Sequence, residues 1–195
     1  MSKINSELML SLTRDMPMKQ IDIPVTMQMQ DAGLYEATRG HHLNINHAER
    51  TVTINKPYLQ RYYAGRFRDG KDLWLHRFLS NDGDRHLHCH PYYFTTIMLC
   101  GGYTEEYLDA EGQKQWRVTL PNPSSDLPGL IGDFISNLKT KTGNLLTSSA
   151  NFIHVGAGGR DIGVFDWHRI ASVETETWTA MVVDKDRLPF WFFKD

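Results

Sequence analysis

Three histidines stand at alternate positions in one short stretch of the chain, RHLHCHPYY. Residues two apart in a β-strand face the same side, so His86, His88 and His90 would share one face of a strand. Imidazoles that are neighbours on one face lie close enough to bind a single metal ion. A further ligand must then come from elsewhere, and His168, in VFDWHRI, is the best candidate. Three imidazole nitrogens leave coordination positions open, and they suit Fe, Zn, Ni, Cu or Mn.

The same spacing also has a simpler explanation. The chain has nine histidines, and a pair two residues apart arises easily by chance. Such a pair on a strand is often a surface pair or a hydrogen-bonded pair. The spacing alone is therefore a hypothesis for a metal site, and its structural context is the test.

Short apolar segments alternate with turns rich in Gly, Asp and Asn from about residue 42 onward. This pattern predicts a mostly β domain with antiparallel strands in a sandwich or barrel. The segment PYLQRYYAGRF is predicted as a short helix or a loop, and the histidines fall in the strand-like segment HLHCHPYYFTTIMLC. The other predicted strands are LNIN, TVTINK, DLWLHRFL, YTEEYLDA, QKQWRVTL, NFIHVGA, GVFDWHRIA, TWTAMVVD and PFWFF.

Two segments depart from this pattern. Residues 1–40 are predicted to be a peripheral helical extension, with Ser6 as the cap of a helix in SELMLSLTRDM and a second helix in TMQMQDAGLYEAT. Residues 41–195 are then the β domain, with an insertion at about 121–150 in which LIGDFISNLK places its apolar residues on one helical face. For this insertion we favour a surface element that packs on the barrel, and a lid or an oligomer contact is the alternative.

Composition and charge narrow the classes of function. Of the 195 residues, 41% are hydrophobic and 23% are charged, which is ordinary for a globular domain with a real core. With a formal net charge of -2, the chain has no global field that would attract nucleic acid or an anionic membrane. We expect no bilayer-spanning segment and no secretory signal. Cys89 and Cys100 lack CxxC spacing, so we expect buried thiols in a reducing, cytoplasmic setting rather than a disulfide framework.

The histidine stretch with the residues after it, RHLHCHPYYFTTIMLCGGYTEEY, resembles the first sequence motif of the cupin superfamily. In particular it is similar to a subgroup with HxHPW and GGY motifs. His88–Pro91 matches HxHP, Tyr92 stands where Trp is common, and the GGY turn ends at Tyr103.

A second block resembles the second cupin motif. In DWHRIASVETETWTAMVV, His168 stands where that motif carries one more histidine, and PFWFF is similar to the aromatic tail of the subgroup. Together the two blocks cover roughly residues 72–120 and 151–193.

The resemblance implies a double-stranded β-helix, which is a small antiparallel jelly-roll barrel that binds a metal or a small ligand in its mouth. By position it implies His88, His90 and His168 as metal ligands. The Glu that usually follows the second histidine by four or five residues is missing, because Phe94 and Thr95 stand there. A three-His site and a metal-free site therefore both stay open.

Further candidates surround these histidines. Tyr103 could bind a substrate through its hydroxyl or fill the turn as a packing residue. Glu105 could act as a ligand or a proton acceptor. The simpler expectation is that Glu105 and Glu106 form a solvated pair on a hairpin. His86 is a weaker candidate for binding a ligand through its imidazole. Arg85, Arg117 and Arg169 are weaker candidates for pairing with the carboxylate or phosphate of a ligand.

Three functions are consistent with these residues. The first is an enzyme with a divalent metal, Fe(II) favoured and Zn, Ni or Mn as alternatives, and dioxygenase-like chemistry on a small organic acid, amino acid or sugar derivative. The second is a sugar epimerase or isomerase without a metal, in which His88 or His90 is the base and Tyr103 the acid. The third is a binding module without turnover.

We expect the partner in each case to be a small molecule rather than nucleic acid or a membrane. We also expect a homodimer, because an exposed aromatic strand such as PFWFF would be a poor sheet edge.

Overall fold

The computed structural model describes residues 4–28, 43–46, 51–82, 86–122, 160–162, 166–187 and 192–194. In this part of the chain the backbone forms one α-helix and twelve β-strands. In chain order they are α1 (Ser6–Thr13), β1 (Met18–Gln28), β2 (Leu43–Asn46), β3 (Thr51–Arg66), β4 (Asp72–Phe78), β5 (Leu87–Cys89), β6 (Tyr92–Cys100), β7 (Tyr103–Leu108), β8 (Lys114–Thr119), β9 (Arg160–Ile162), β10 (His168–Val173), β11 (Trp178–Arg187) and β12 (Phe192–Lys194). No helix within these ranges is long and apolar enough to cross a membrane.

The strands form two antiparallel sheets. The large sheet has the order β1-β3-β4-β11-β6-β9, with β2 also paired to β3, and the small sheet has the order β12-β5-β10-β7-β8. Every pairing between these strands is antiparallel. The predicted fold class, mostly antiparallel β, is therefore confirmed, and two such sheets are consistent with a sandwich or jelly roll. The finer assignment to a double-stranded β-helix stays a prediction.

The predicted helix or loop at PYLQRYYAGRF is wrong, because β3 runs through this segment and pairs with β1 on one side and β4 on the other. A bulge interrupts the pairing with β1, since Ile21 pairs with Leu59 whereas Asp22 pairs with Pro57. A bulge adds one residue and breaks the period-two alternation from which strands are predicted. The bulge therefore explains why the sequence pattern did not predict this strand.

The N-terminal helix is confirmed as α1, but two details differ. Its cap is Asn5 rather than Ser6, since the Asn5 side chain accepts a hydrogen bond from the Leu8 backbone N–H at 2.9 Å. The second predicted helix begins at residue 26, where the chain is still in β1, so its first residues are extended. The rest of that segment lies outside the described residues.

The helix is also less peripheral than expected, because Met9 is fully buried against the large sheet. The apolar cluster that Met9 joins consists of Tyr62, Ala64, Phe67, Leu73, Leu75, Ile97, Leu99, Trp178, Ala180 and Val182. None of these side chains lines the cavity described below. One face of the large sheet is thus closed by α1, and the other face borders the cavity.

The histidine stretch does not form one continuous strand. β5 belongs to the small sheet and β6 to the large sheet, and the chain crosses between them at His90 and Pro91. Proline has no N–H to donate to a strand ladder, so it suits this break. The crossing brings His88 and His90 to the junction of the two sheets. The predicted strand NFIHVGA and nearly all of the insertion at 121–150 lie outside the described residues.

Candidate metal centre

Three histidines from two parts of the chain meet at this junction. His88 lies in β5, and it is directly paired with His168 in β10 across the small sheet. His90 follows β5 in the turn. Each of the three offers a ring nitrogen, and these nitrogens all lie within 4.8 Å of one another. His88 and His168 are buried, and His90 is half-buried.

The spacing of the three rings fits one bound ion. The ring centroids are 5.1 Å apart for His88 and His90, 5.2 Å for His88 and His168, and 5.0 Å for His90 and His168. Metal–nitrogen bonds of about 2.1 Å put an ion about 3.2 Å from each ring centroid. If the angles at the ion between neighbouring rings are about 90° to 109°, the ring centroids would lie about 4.5 to 5.2 Å apart. The observed triangle falls within that interval.

The ring nitrogens also face the right way. The Nε2 atoms of His90 and His168 are 2.9 Å apart, which corresponds to an angle of about 90° at an ion with bonds of about 2.1 Å. The Nδ1 atom of His168 lies 3.1 Å from Glu105 Oε1, and the Nδ1 atom of His88 lies 3.4 Å from the His86 carbonyl oxygen. An imidazole that donates through Nδ1 keeps the Nε2 lone pair for a metal.

Glu105 is part of this arrangement rather than a solvated residue. Its side chain is only 2% exposed, and besides His168 it contacts Arg117, whose Nε lies 3.4 Å from Glu105 Oε2. The Arg117 guanidinium in turn lies over the Tyr107 ring, 4.3 Å from its centroid. The carboxylate therefore stands between a metal-ligand candidate and a cation, so it is held in place from both sides.

Glu106 belongs to a different network, although it is the next residue. Its Oε1 lies 3.2 Å from Lys114 Nζ and its Oε2 lies 2.5 Å from Arg169 Nε. Burial alone would raise the pKa of Glu106, but the hydrogen bonds from Arg169 and Lys114 outweigh it and hold the pKa below its ordinary value. The expectation of a solvated Glu105–Glu106 pair is therefore wrong, because long basic side chains cover one carboxylate and the sheet buries the other.

A cavity of about 160 Å³ opens beside the three histidines. Both sheets line it, and most of its wall is apolar or aromatic. The lining residues other than the histidine triad are Ile21, Tyr58, Leu59, Arg61, His76, Phe78, Asp82, Tyr92, Phe94, Thr96, Tyr103, Glu105, Ile162, Ile170, Thr179 and Met181. Such a cavity suits a small ligand with an apolar body and a few polar groups.

The position where the cupin motif usually carries a Glu has a different role in this chain. Phe94 stands there, and its ring packs edge-on against His90 with 4.9 Å between the centroids. The ring supplies an apolar wall next to the ligand candidate instead of a carboxylate. Any metal here would thus be held by neutral imidazoles from the described residues, which leaves more of its positive charge for a bound anion.

The structure brings some of the predicted residues together and leaves others apart. Tyr103 and Glu105 line the cavity with the triad. His86 is exposed and does not line the cavity, and Arg169 is paired with Glu106 away from it. Arg85 lies outside the described residues.

Several polar residues that line the cavity are absent from the sequence-based candidates, among them Arg61, His76 and Thr179. Burial, and then the charge of Arg61, holds the pKa of His76 well below its ordinary value. No local motif marks these residues, because they lie on three different strands and come together only through the sheet register.

The two thiols offer no nucleophile to the site. Cys89 is fully buried, Cys100 is half-buried, and the two form no disulfide. Burial raises the pKa of the Cys100 thiol to about 11. Thiolate is the reactive form, so a thiol with such a pKa is nearly inert at neutral pH.

A scan of protein-family models finds no match to this chain, and a search of curated proteins finds none either. The function must therefore be argued from the site itself.

Proposed function

We propose that this chain is a metal-dependent enzyme of the cupin type, with dioxygenase-like chemistry on a small organic acid, amino acid or sugar derivative. The observation that carries the proposal is the triangle of His88, His90 and His168, whose dimensions fit one ion at the wall of a ligand-sized cavity. The HxHP and GGY motifs in this stretch, which resemble those of cupins, support the family assignment.

The residues around the ion would have distinct tasks. The three imidazoles hold the ion and leave positions open toward the cavity. The Glu105 carboxylate, with Oε1 3.1 Å from His168 Nδ1, favours the tautomer that carries its proton on Nδ1, so the Nε2 lone pair is left for the ion. The aromatic walls, including Phe94 and Tyr92, keep water from the reacting groups. When bound, Fe(II) supplies redox chemistry with dioxygen, whereas Zn, Ni or Mn supplies Lewis-acid chemistry.

The proposed chemistry is tested by reconstitution and oxygen uptake. The protein would be stripped with a chelator, loaded under argon with Fe(II) or with Zn(II), and mixed with a panel of small carboxylic acids, amino acids and sugar derivatives. We expect substrate-dependent oxygen consumption only for the iron-loaded wild type, and none for His88→Ala. Turnover by the zinc-loaded protein without oxygen uptake would move the function to isomerisation or hydrolysis.

A metal-free acid–base enzyme is the second candidate. It is favoured by the 2.9 Å contact between His90 and His168, which could share one proton, and by Tyr103 in the wall of the same cavity. The mostly apolar lining is less suited to a sugar, so we place it second. Turnover that persists after chelation, and that is lost in Tyr103→Phe, would reverse this order. Ligand binding without any product would indicate a binding module.

Homodimerisation also belongs to the proposal. β8 ends the strand order of the small sheet as described, and its side chains Trp116 and Val118, together with Leu120 after it, are more than half exposed. A row of exposed apolar side chains on such a strand is typical of an interaction surface. Light scattering that finds a single-chain mass at micromolar concentration would contradict the dimer.

A further inference from the structure

Three polar residues form a row across the large sheet on the face that borders the cavity. Arg61 in β3 is the register partner of His76 in β4, and His76 is also the register partner of Thr179 in β11. All three side chains line the cavity. The metal candidates belong to the small sheet and its turn, so this row is a separate polar patch on the facing wall.

The Arg61 guanidinium is held in a fixed position in this row. Its Nε lies 3.2 Å from His76 Nε2, and its Cζ lies 4.7 Å from the Trp74 ring centroid. His76 is buried, and its lowered pKa keeps it neutral and able to accept this hydrogen bond. One edge of the guanidinium is thus used by His76 and one face by Trp74, which leaves the terminal nitrogens for another partner.

Among the described residues, no carboxylate neutralises the charge of Arg61. Arg61 is the only Lys or Arg among the described residues that line the cavity. The two carboxylates that line the cavity, Asp82 and Glu105, contact residues of the small sheet instead. Asp82 accepts a hydrogen bond from the Ile170 N–H at 2.6 Å, and Glu105 contacts His168 and Arg117.

Thr179 provides a second, independent observation. Its side chain is 1% exposed, and its hydroxyl has no hydrogen-bond partner among the residues that the structure describes. Buried hydroxyls are nearly always hydrogen-bonded, so one that lines a cavity without a protein partner indicates a ligand or an ordered water there.

We propose that Arg61 and Thr179 bind the carboxylate of the substrate, and that the substrate is a small monocarboxylic acid with an aromatic or branched apolar body. This inference rests on the proposed function for its assumption that the cavity holds the substrate. Packed sheets stand about 10 Å apart, so a molecule of about one ring would reach from Arg61 to the metal candidates. Tyr58, Phe78 and Met181 supply the apolar walls for that ring.

The test uses benzoate as the probe, with benzamide as an uncharged molecule of the same shape. Calorimetric titrations would be run on metal-free and on zinc-loaded protein, for the wild type, Arg61→Met and Thr179→Val. Arg77→Met is the matched control, because Arg77 also lies over a tryptophan, Trp178, but does not line the cavity.

We expect the wild type to prefer benzoate to benzamide. In Arg61→Met the affinity for benzoate should fall about 10- to 100-fold, the usual range for hydrogen bonds to a charged group, while benzamide is unaffected. In Thr179→Val the affinity for benzoate should fall about 3- to 10-fold, and in Arg77→Met it should equal that of the wild type. If Arg61→Met does not fold, Arg61→Lys keeps the charge but loses the planar fork, and its benzoate affinity should still fall below that of the wild type.

Equal binding of benzoate and benzamide by the wild type, or equal benzoate affinity in the wild type and the folded Arg61 variant, would overturn the inference. Metal content would be measured on the same samples. A benzoate preference without bound metal supports the Arg61 site and contradicts the metal function. Bound metal without a benzoate preference contradicts the Arg61 site alone.

Discussion

Replacing Glu105 tests whether the buried carboxylate serves the proposed metal site. Glu105 Oε1 lies 3.1 Å from His168 Nδ1, and both side chains are almost fully buried. Carboxylates that orient a ligating histidine typically contribute 10- to 100-fold to metal affinity, which is about 1.4 to 2.7 kcal/mol. Glu105→Gln keeps the shape and one acceptor oxygen but removes the charge, so we expect the metal affinity to fall about tenfold.

Glu105→Ala removes the acceptor altogether and deprives Arg117 of its partner. We expect about a 100-fold loss of affinity for this variant, together with lower stability. Affinities would be measured by competition with a chelating dye, and stability by thermal denaturation with and without metal.

Glu106→Gln is the matched control for both variants. Glu106 is buried to the same degree, but it pairs with Lys114 and Arg169 rather than with His168. It should lose stability and keep its metal affinity. If Glu105→Ala bound metal as tightly as Glu106→Gln, the proposed role of Glu105 would be refuted.

Three further predictions test the fold around the site. Because the native pKa of His76 lies below its unfolded value of about 6.5, the unfolded state gains the proton first as pH falls, and stability is lost below about pH 6.5. Chemical denaturation of His76→Gln should show a shallower loss between about pH 7 and pH 5. Met9→Ala should lower the free energy of unfolding, measured in urea, by about 2 to 5 kcal/mol, because Met9 is fully buried. Leu10→Ala should leave it almost unchanged, because Leu10 is exposed. Equal losses of stability in the two variants would contradict the docking of α1. Gly101→Ala should lower the free energy of unfolding by about 1 to 3 kcal/mol, since φ is +72° and an added Cβ would collide with the Thr177 side chain. An unchanged midpoint of urea unfolding would contradict this strain.

Much of the fold and the centre of the site could be predicted from local sequence. The period-two spacing of His88 and His90 and the turn residues around them are short-range signals, so they indicated both the strands and the ligand pair. His168 was also predicted, and the structure pairs it with His88 across the small sheet.

The remaining features depend on contacts between residues far apart in the chain. Arg61, His76 and Thr179 become neighbours only when β3, β4 and β11 pair in one register, and no local pattern encodes that register. The burial of Glu105 likewise depends on the arrival of His168 from β10 and Arg117 from β8.

The most direct test of the central claim is elemental analysis by mass spectrometry of protein purified without a histidine tag or chelator. The wild type would be compared with His88→Ala and His168→Ala. His86→Ala is the control, because His86 belongs to the same stretch but is exposed outside the cavity. We predict about one metal ion per chain in the wild type and in His86→Ala, and a loss of that ion in the other two variants. A wild type that holds no metal, even after reconstitution with Fe(II), Zn(II), Ni(II) and Mn(II), would contradict the claim.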